Sequence, residues 1–304
     1  MARRPMSLLT TANMTPQAPI LAPVPRAARS LFLRRRLTAT PVDALSALAS
    51  VSDALVGIGP GLLTEAGQTV AGIRRFPGWS GPAGAPPSTP FDGWIRLLGS
   101  DRGDVAHDER RVRLLLGGAF EVVLRVDEFQ HGDSRDLTGY EDGTENPTGS
   151  NAEAAALVAD GPLAGSSFAA VQVWEHDLAA FGTLTRPEQD NAIGRRRSDN
   201  EELDDAPPSA HVKRTAQKDF EPEAFVVRRS LPWADGDRQG LLFVAFAASF
   251  DPFEAQWRRM LGLDDGVPDA LFRFTRPTTG SYFWCPPRDG DRLYLRGATP
   301  AARP

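Results

Sequence analysis

Leu31-Phe32-Leu33-Arg34-Arg35-Arg36-Leu37, with Thr40-Pro41-Val42-Asp43-Ala44-Leu45 close behind it, opens the pattern that decides the fold. The first stretch reads as a strand ending in arginines. Thr40 is a good helix N-cap, and Pro41 suits the first helical position, where a missing N–H costs no hydrogen bond. Leu45, Leu48 and Leu55 fall on one stripe, and Gly57, Gly59 and Pro60 end that helix. Working outward, residues 70–76 and 94–98 read as strands. Asp101 caps a helix with Val105, Val112, Leu115 and Leu116 inward, and residues 121–129 form a fourth strand with Val122, Leu124 and Val126 on one face. The order is β-α-β-β-α-β.

The second half repeats it. Residues 168–174 alternate as a strand, and Thr185-Arg186-Pro187-Glu188 is a capping box. Residues 195–222, polar with Arg195-Arg196-Arg197 and Glu201-Glu202 runs, read as a solvated insertion. Residues 225–231 and 241–248 are strands. Asp251 caps a helix with Phe253, Trp257, Met260 and Leu261 inward, and residues 271–275 and 281–285 close the set. Two split β-α-β units predict an α+β protein of two tandem ferredoxin-like halves with antiparallel sheets. The expected bounds are a disordered tail over 1–18, halves over 19–135 and 166–290, a linker over 136–165, and a C-terminal tail over 291–304.

Charge and composition narrow the function. The 304 residues carry 34 Lys+Arg against 39 Asp+Glu, a net −5, which argues against a nucleic-acid partner. With 41% hydrophobic and 24% charged residues the chain reads as globular. The single cysteine, Cys285, excludes an internal disulfide and any CxxC motif. No apolar run approaches the ~18 residues that cross a bilayer. Ala2-Arg3-Arg4-Pro5 lacks the apolar core of an export signal behind it, so a cytoplasmic protein is expected.

Three stretches carry candidate chemistry. In Gly139-Tyr140-Glu141-Asp142-Gly143-Thr144-Glu145-Asn146-Pro147, two glycines flank a carboxylate, so the backbone can take positive φ and approach a ligand; an ordinary linker has the same composition. Of the four histidines, His107 falls on a polar helix face, His131 in a loop, His176 at a strand end with a surface role, and His211 in the insertion. None is paired at helical metal-site spacing, so a protein-only zinc site is not expected, whereas a haem needs one proximal ligand. Along residues 225–231, Phe225, Val227 and Leu231 share a face interrupted by Arg229. Val226, Arg228 and Ser230 share the other, which suits plain surface or a pocket equally.

Taken together, the GxxDG stretch, Ile20-Leu21-Ala22-Pro23-Val24-Pro25, Ile193-Gly194-Arg195, Glu202-Leu203-Asp204-Asp205, Ser209-Ala210-His211-Val212, Arg228-Arg229-Ser230-Leu231-Pro232 and Thr275-Arg276-Pro277-Thr278-Thr279-Gly280-Ser281-Tyr282-Phe283 resemble the bacterial cytosolic branch of the dye-decolourising (DyP-type) haem peroxidases, over about residues 18–288. The resemblance implies haem b (iron protoporphyrin IX) held mainly by the second half, with His211 as the iron ligand. It implies Asp142 and Arg228 as the distal acid and cation, and Ser230 as a further distal polar residue. Arg195 is implied as a propionate partner, with Thr144, Glu145 and Asn146 at the haem edge. Asp269 is expected to take the other imidazole N–H and raise its basicity.

Those residue types suit the reaction. A carboxylate can shuttle the proton that must move between the oxygens of hydrogen peroxide, and a guanidinium stabilises charge on the leaving oxygen. The expectation is a haem peroxidase, working through a ferryl intermediate, that oxidises bulky aromatic donors such as dyes or phenols, in a homo-oligomer. The rivals are a non-enzymatic haem-binding or haem-handling protein, which has no need of Asp142 and Arg228, an enzyme that decomposes an oxyanion such as chlorite, and a scaffold without cofactor.

Overall fold

A computed structural model describes residues 14–300. In chain order the elements are β1 (Ala27–Arg35), α1 (Pro41–Ala49), β2 (Leu55–Ile58), α2 (Pro60–Glu65), β3 (Gln68–Thr69), β4 (Gly93–Gly99), α3 (Arg102–Leu116) and β5 (Phe120–Phe129). They continue with α4 (Gly149–Ala156), β6 (Ser167–His176), α5 (Leu178–Thr183), α6 (Arg186–Ile193), α7 (His211–Arg214), β7 (Val227–Arg228) and β8 (Leu231–Asp235). After these come β9 (Arg238–Ala247), α8 (Asp251–Met260), β10 (Thr275–Pro277) and β11 (Ser281–Cys285).

The helices start where local chemistry dictates. Thr40 Oγ1 accepts from the Asp43 N–H at 3.1 Å, and Asp101 Oδ1 accepts from those of Gly103 and Asp104. The Thr185/Glu188 capping box forms.

Main-chain pairing is antiparallel throughout. The order β2-β4-β1-β5 continues through one residue pair, Glu128 opposite Trp233, into β8-β9-β6-β11. One pair, Trp284 opposite Ile58, joins β11 back to β2, so eight strands close a ring, with β7 and β10 attached outside that order. Alternation along the strands then sorts side chains into two cores. Phe32, Trp94, Val171, Val244, Phe246 and Phe283 share one cluster. Their neighbours Leu31, Ile95, Ala170, Ala245 and Tyr282 face the other, which takes in the apolar stripes of α1, α3 and α8.

Several elements depart from the sequence expectation. β1 runs over 27–35, and Leu37 beyond it is 95% exposed. α1 stops at Ala49, and Leu55 belongs to β2, the second strand in place of 70–76. All four residues of β2 are buried, so it shows no alternation, and a Cβ at Gly57 would lie 2.7 Å from Phe283 Cβ. Residues 225–231 are not one continuous strand: Val227–Arg228 pair with β9 as β7, Leu231 already opens β8, and Val226 is buried in the helix-side core. Residues 270–273 form a 3-10 turn before β10. Asp251 is the first residue of α8 and makes no cap bond there, while Leu115 is exposed.

Within the described residues, parts of both expected tail segments pack against the body of the protein. Gln17 is fully buried, bonded to both main-chain groups of Val56 and to the Pro286 carbonyl, and Leu293 and Ala298 are buried. The insertion carries α7, whose Arg214 is buried against Asp265 at 2.7 Å. Residues 1–13, with Arg3-Arg4, and 301–304 lie outside the described residues. Among the described residues no helix is long and apolar enough to cross a membrane.

Candidate active site

Gln172, Trp174, Leu241 and Phe243, on the helix-side face of β6 and β9, form one wall of a cavity of about 490 Å³. Phe253, Trp257 and Met260 of α8, His211 of α7, Arg228 of β7 and the loop from Asp136 to Glu145 complete it.

Glycine geometry shapes that loop. Gly139 (φ 88°) and Gly143 (φ 78°) lie in the left-handed region, and a Cβ on Gly139 would meet the Arg197 guanidinium at 2.5 Å. The turn is closed by Gly139 N–H to the Asp136 carbonyl and Asp136 N–H to the Tyr140 carbonyl, each at 2.8 Å. Arg135 straps it from beneath, donating to the Gly139 carbonyl and to Glu141. Asn146 then grips the main chain of Arg228: its Oδ1 accepts from Arg228 N–H at 2.7 Å, and its Nδ2 donates to the Arg228 carbonyl at 3.1 Å.

This grip brings Asp142 and Arg228 together, with Arg228 Nε 4.0 Å from Asp142 Oδ1. That is an ion-pair distance without a hydrogen bond. Arg228 Nε is buried and has no partner. Buried donors are nearly always satisfied, so an idle guanidinium nitrogen in a cavity wall marks a place for a ligand acceptor.

At α7, His211 Nδ1 lies 2.7 Å from Asp269 Oδ2. The Asp269 side chain is fully buried, and its other oxygen accepts from the Leu271 N–H at 2.8 Å. In the neutral imidazole this bond keeps the proton on Nδ1 and leaves the Nε2 lone pair free. Arg195 lines the cavity with Thr144 and Glu145, and its Nη2 lies 2.7 Å from Glu145 Oε1.

The expected residues do not all converge. Asn146 is turned to Arg228 and is not in the cavity lining. Ser230 is buried behind the wall, its hydroxyl accepting from Val244 N–H at 3.3 Å. Asp269 is outside the cavity lining and meets it only through His211.

His176, expected at the surface, is instead 6% exposed and lines the cavity. Its Nε2 meets Asp136 Oδ2 at 2.9 Å and its Nδ1 meets Thr275 Oγ1 at 2.6 Å. Burial works against ionisation of Asp136, but the hydrogen bond and charge of His176, with the Thr138 donors, hold its carboxyl below the usual range. The available signal was parity along β6, which puts His176 on the face of Gln172 and Trp174. His107 is exposed, as expected, and His131 is exposed too. No group of three or more His, Cys, Asp or Glu suited to a metal ion occurs among the described residues.

Known proteins share this chain's sequence pattern and fold. Residues 133–290 match the family model described as Dyp-type peroxidase, C-terminal. A dye-decolorizing peroxidase of Mycobacterium tuberculosis is 32% identical over 303 residues, covering 91% of this chain and 89% of its own length. The chain belongs to the DyP-type peroxidase family. A dye-decolorizing peroxidase of Mycolicibacterium paratuberculosis is also 32% identical, over 73% of this chain and 65% of its own length. Among solved structures of DyP proteins, that from V. cholerae aligns with a TM-score of 0.82 at 30% identity, covering 92% of this chain and 98% of the other. A Rhodococcus jostii RHA1 DypB variant in complex with heme aligns at 0.83 and 28% identity, covering 90% and 96%.

Proposed function

We propose that this chain is a haem b peroxidase that reduces hydrogen peroxide and oxidises bulky aromatic donors such as dyes and phenols. The observation that carries the reading is the set of groups around one cavity: an imidazole whose Nδ1 is held by a buried carboxylate, and an Asp142–Arg228 pair with an unpartnered guanidinium nitrogen.

These residues fit the cofactor. The volume falls in the range of ligand pockets, the walls include Trp174, Leu241, Phe243 and Phe253, and Arg195 offers a cation for a carboxylate. His211 would supply the one protein ligand through Nε2. Asp269 orients its ring and strengthens it as a donor. Thr144 and Glu145 would border the cofactor, with Asn146 beside them holding Arg228. When bound, haem supplies the iron at which peroxide is reduced and from which aromatic donors are oxidised.

The chain's own groups handle protons and charge. Asp142, ionised, takes the proton from one peroxide oxygen and returns it to the other as the O–O bond breaks. Arg228 places a guanidinium where charge develops on the departing oxygen and stabilises it. Ser230 keeps the turn after β7 in register through Val244 and stands behind this pair. A haem carrier would have no use for an acid and a cation held 4.0 Å apart in the cavity wall, which disfavours the non-enzymatic alternative.

We read each set of four strands, with strand order 2-3-1-4 and helices between strands one and two and between three and four, as a ferredoxin-like half. The halves span about 19–135 and 166–290, joined by a linker over 136–165 that includes α4, and the second would hold most of the cofactor. A cytoplasmic homo-oligomer completes the proposal.

The test is optical. Haem-loaded protein should change spectrum on addition of peroxide and then decolourise an aromatic dye over many turnovers. Haem binding without turnover would support a carrier and refute the enzyme.

A further inference from the structure

Tyr140 stands inside the GxxDG loop, lines the cavity and is 4% exposed. Its hydroxyl donates to Asp190 Oδ1 of α6. The same carboxylate oxygen accepts from the Arg197 N–H at 3.2 Å, which fixes it in place. The ring packs edge-on against Phe181 at 6.3 Å, and Phe181 lies 4.5 Å from Phe274, a second cavity residue. Ala192, Ala270, Leu184, Ile193 and Leu271 close an apolar shell around these rings.

Nothing in the peroxide chemistry of Asp142 and Arg228 uses this pair. A solvent-facing tyrosine needs no such base, and a structural hydroxyl could be satisfied by a main-chain carbonyl. A phenol is hard to oxidise while its proton stays on and far easier when the proton leaves with the electron. A carboxylate in direct contact provides that exit.

Resting on the peroxidase reading, we propose that Tyr140 is a redox-active residue, which gives up one electron to the peroxide-oxidised cofactor site while its phenolic proton passes to Asp190. The step balances. Reduction of one hydrogen peroxide to two waters withdraws two electrons, and Tyr140 supplies one of them. The O–H bond of Tyr140 breaks, a new O–H bond forms on Asp190, and a neutral tyrosyl radical remains. An aromatic donor then returns one electron, and the Asp190 proton goes back to the phenolate oxygen. The oxidised donor releases its own proton to solvent. Burial, followed by the Asp190 hydrogen bond and charge, pushes the Tyr140 phenol above its usual range, with Arg186 opposing.

The test uses haem-loaded full-length protein labelled with ring-deuterated tyrosine, mixed with hydrogen peroxide and frozen for electron paramagnetic resonance. A narrow radical signal whose splitting responds to ring deuteration is expected, absent in Tyr140→Phe, whose optical response to peroxide persists. In Asp190→Asn the radical should form about 10²-fold more slowly, the lower end of what a positioned proton acceptor supplies. In unloaded protein, the infrared C–O stretch of labelled Tyr140 should shift in Asp190→Asn. A signal unchanged in Tyr140→Phe overturns the proposal, as does an optical response to peroxide without any tyrosyl signal in the wild type, which leaves the peroxidase reading standing. No optical response from loaded wild type sinks that reading, and this proposal with it.

Discussion

In the strands β2-β4-β1-β5, buried charge is neutralised at contact. Arg29 lies 2.5 Å from both Glu109 and Asp127, and Arg96 lies 2.5 Å from Glu128, which also accepts from Ser30. Arg96 leaves its own Nε unpaired, but its charge is matched. Beside β8-β9-β6-β11, Arg228 also has an unpaired Nε, and its nearest carboxylate stands 4.0 Å away without a hydrogen bond. The same strand order therefore supports two electrostatic conditions, one closed on itself and one left open toward a cavity. The open one is where a ligand can add binding energy, because its donor is already desolvated.

The comparison breaks most readily at Asp142. Asp142→Asn should slow the first reaction with peroxide by about 10²–10⁴-fold, followed by rapid mixing, with haem still bound. Parental speed would show that the open pair is not the proton-handling site. On the closed side, Arg96→Met leaves Glu128 uncompensated and should cost about 3–5 kcal/mol in denaturant titrations while leaving the peroxide rate per folded molecule unaltered.

Asp269→Asn weakens the hold on His211 and should reduce haem affinity by about 10–100-fold, measured by transfer to a competing haem binder. The smallest effect is in acid. Asp136 is held below its usual value of 3.8, so its ion pair contributes fully above that value and the contribution fades as pH falls toward the folded pKa. Glu128 is raised by burial, with Arg96 opposing, so its protonation on acidification adds stability instead. Thermal unfolding scans from pH 6 to about 3 should therefore show Asp136→Asn losing its deficit below about 4, and Glu128→Gln losing the opposite trend.

What sequence discloses here depends on range. The Thr40, Asp101 and Thr185 caps involve residues two or three apart, and all three were readable. β2 was not, because a four-residue strand buried on both faces, with Gly57 fitted under Phe283, has no period to detect. Asp142, Arg228 and His211 emerge from the family resemblance, and the meeting of Asp142 with Arg228 depends on Asn146 reaching Arg228 across 82 residues. His176 stands at a strand end between Glu175 and Asp177, which suggests the surface, although its parity with Trp174 points inward. Its partner Asp136, 40 residues away, had no local sign.

In the proposed enzyme His211 would be the group that holds the iron. The direct measurement is the absorption and low-temperature paramagnetic resonance spectrum of haem-loaded wild type beside His211→Ala, each with and without added imidazole. A strong Soret band with a histidine-ligated ferric signal in the wild type, lost in His211→Ala and restored by free imidazole, is the predicted result. An identical spectrum in both proteins would contradict it.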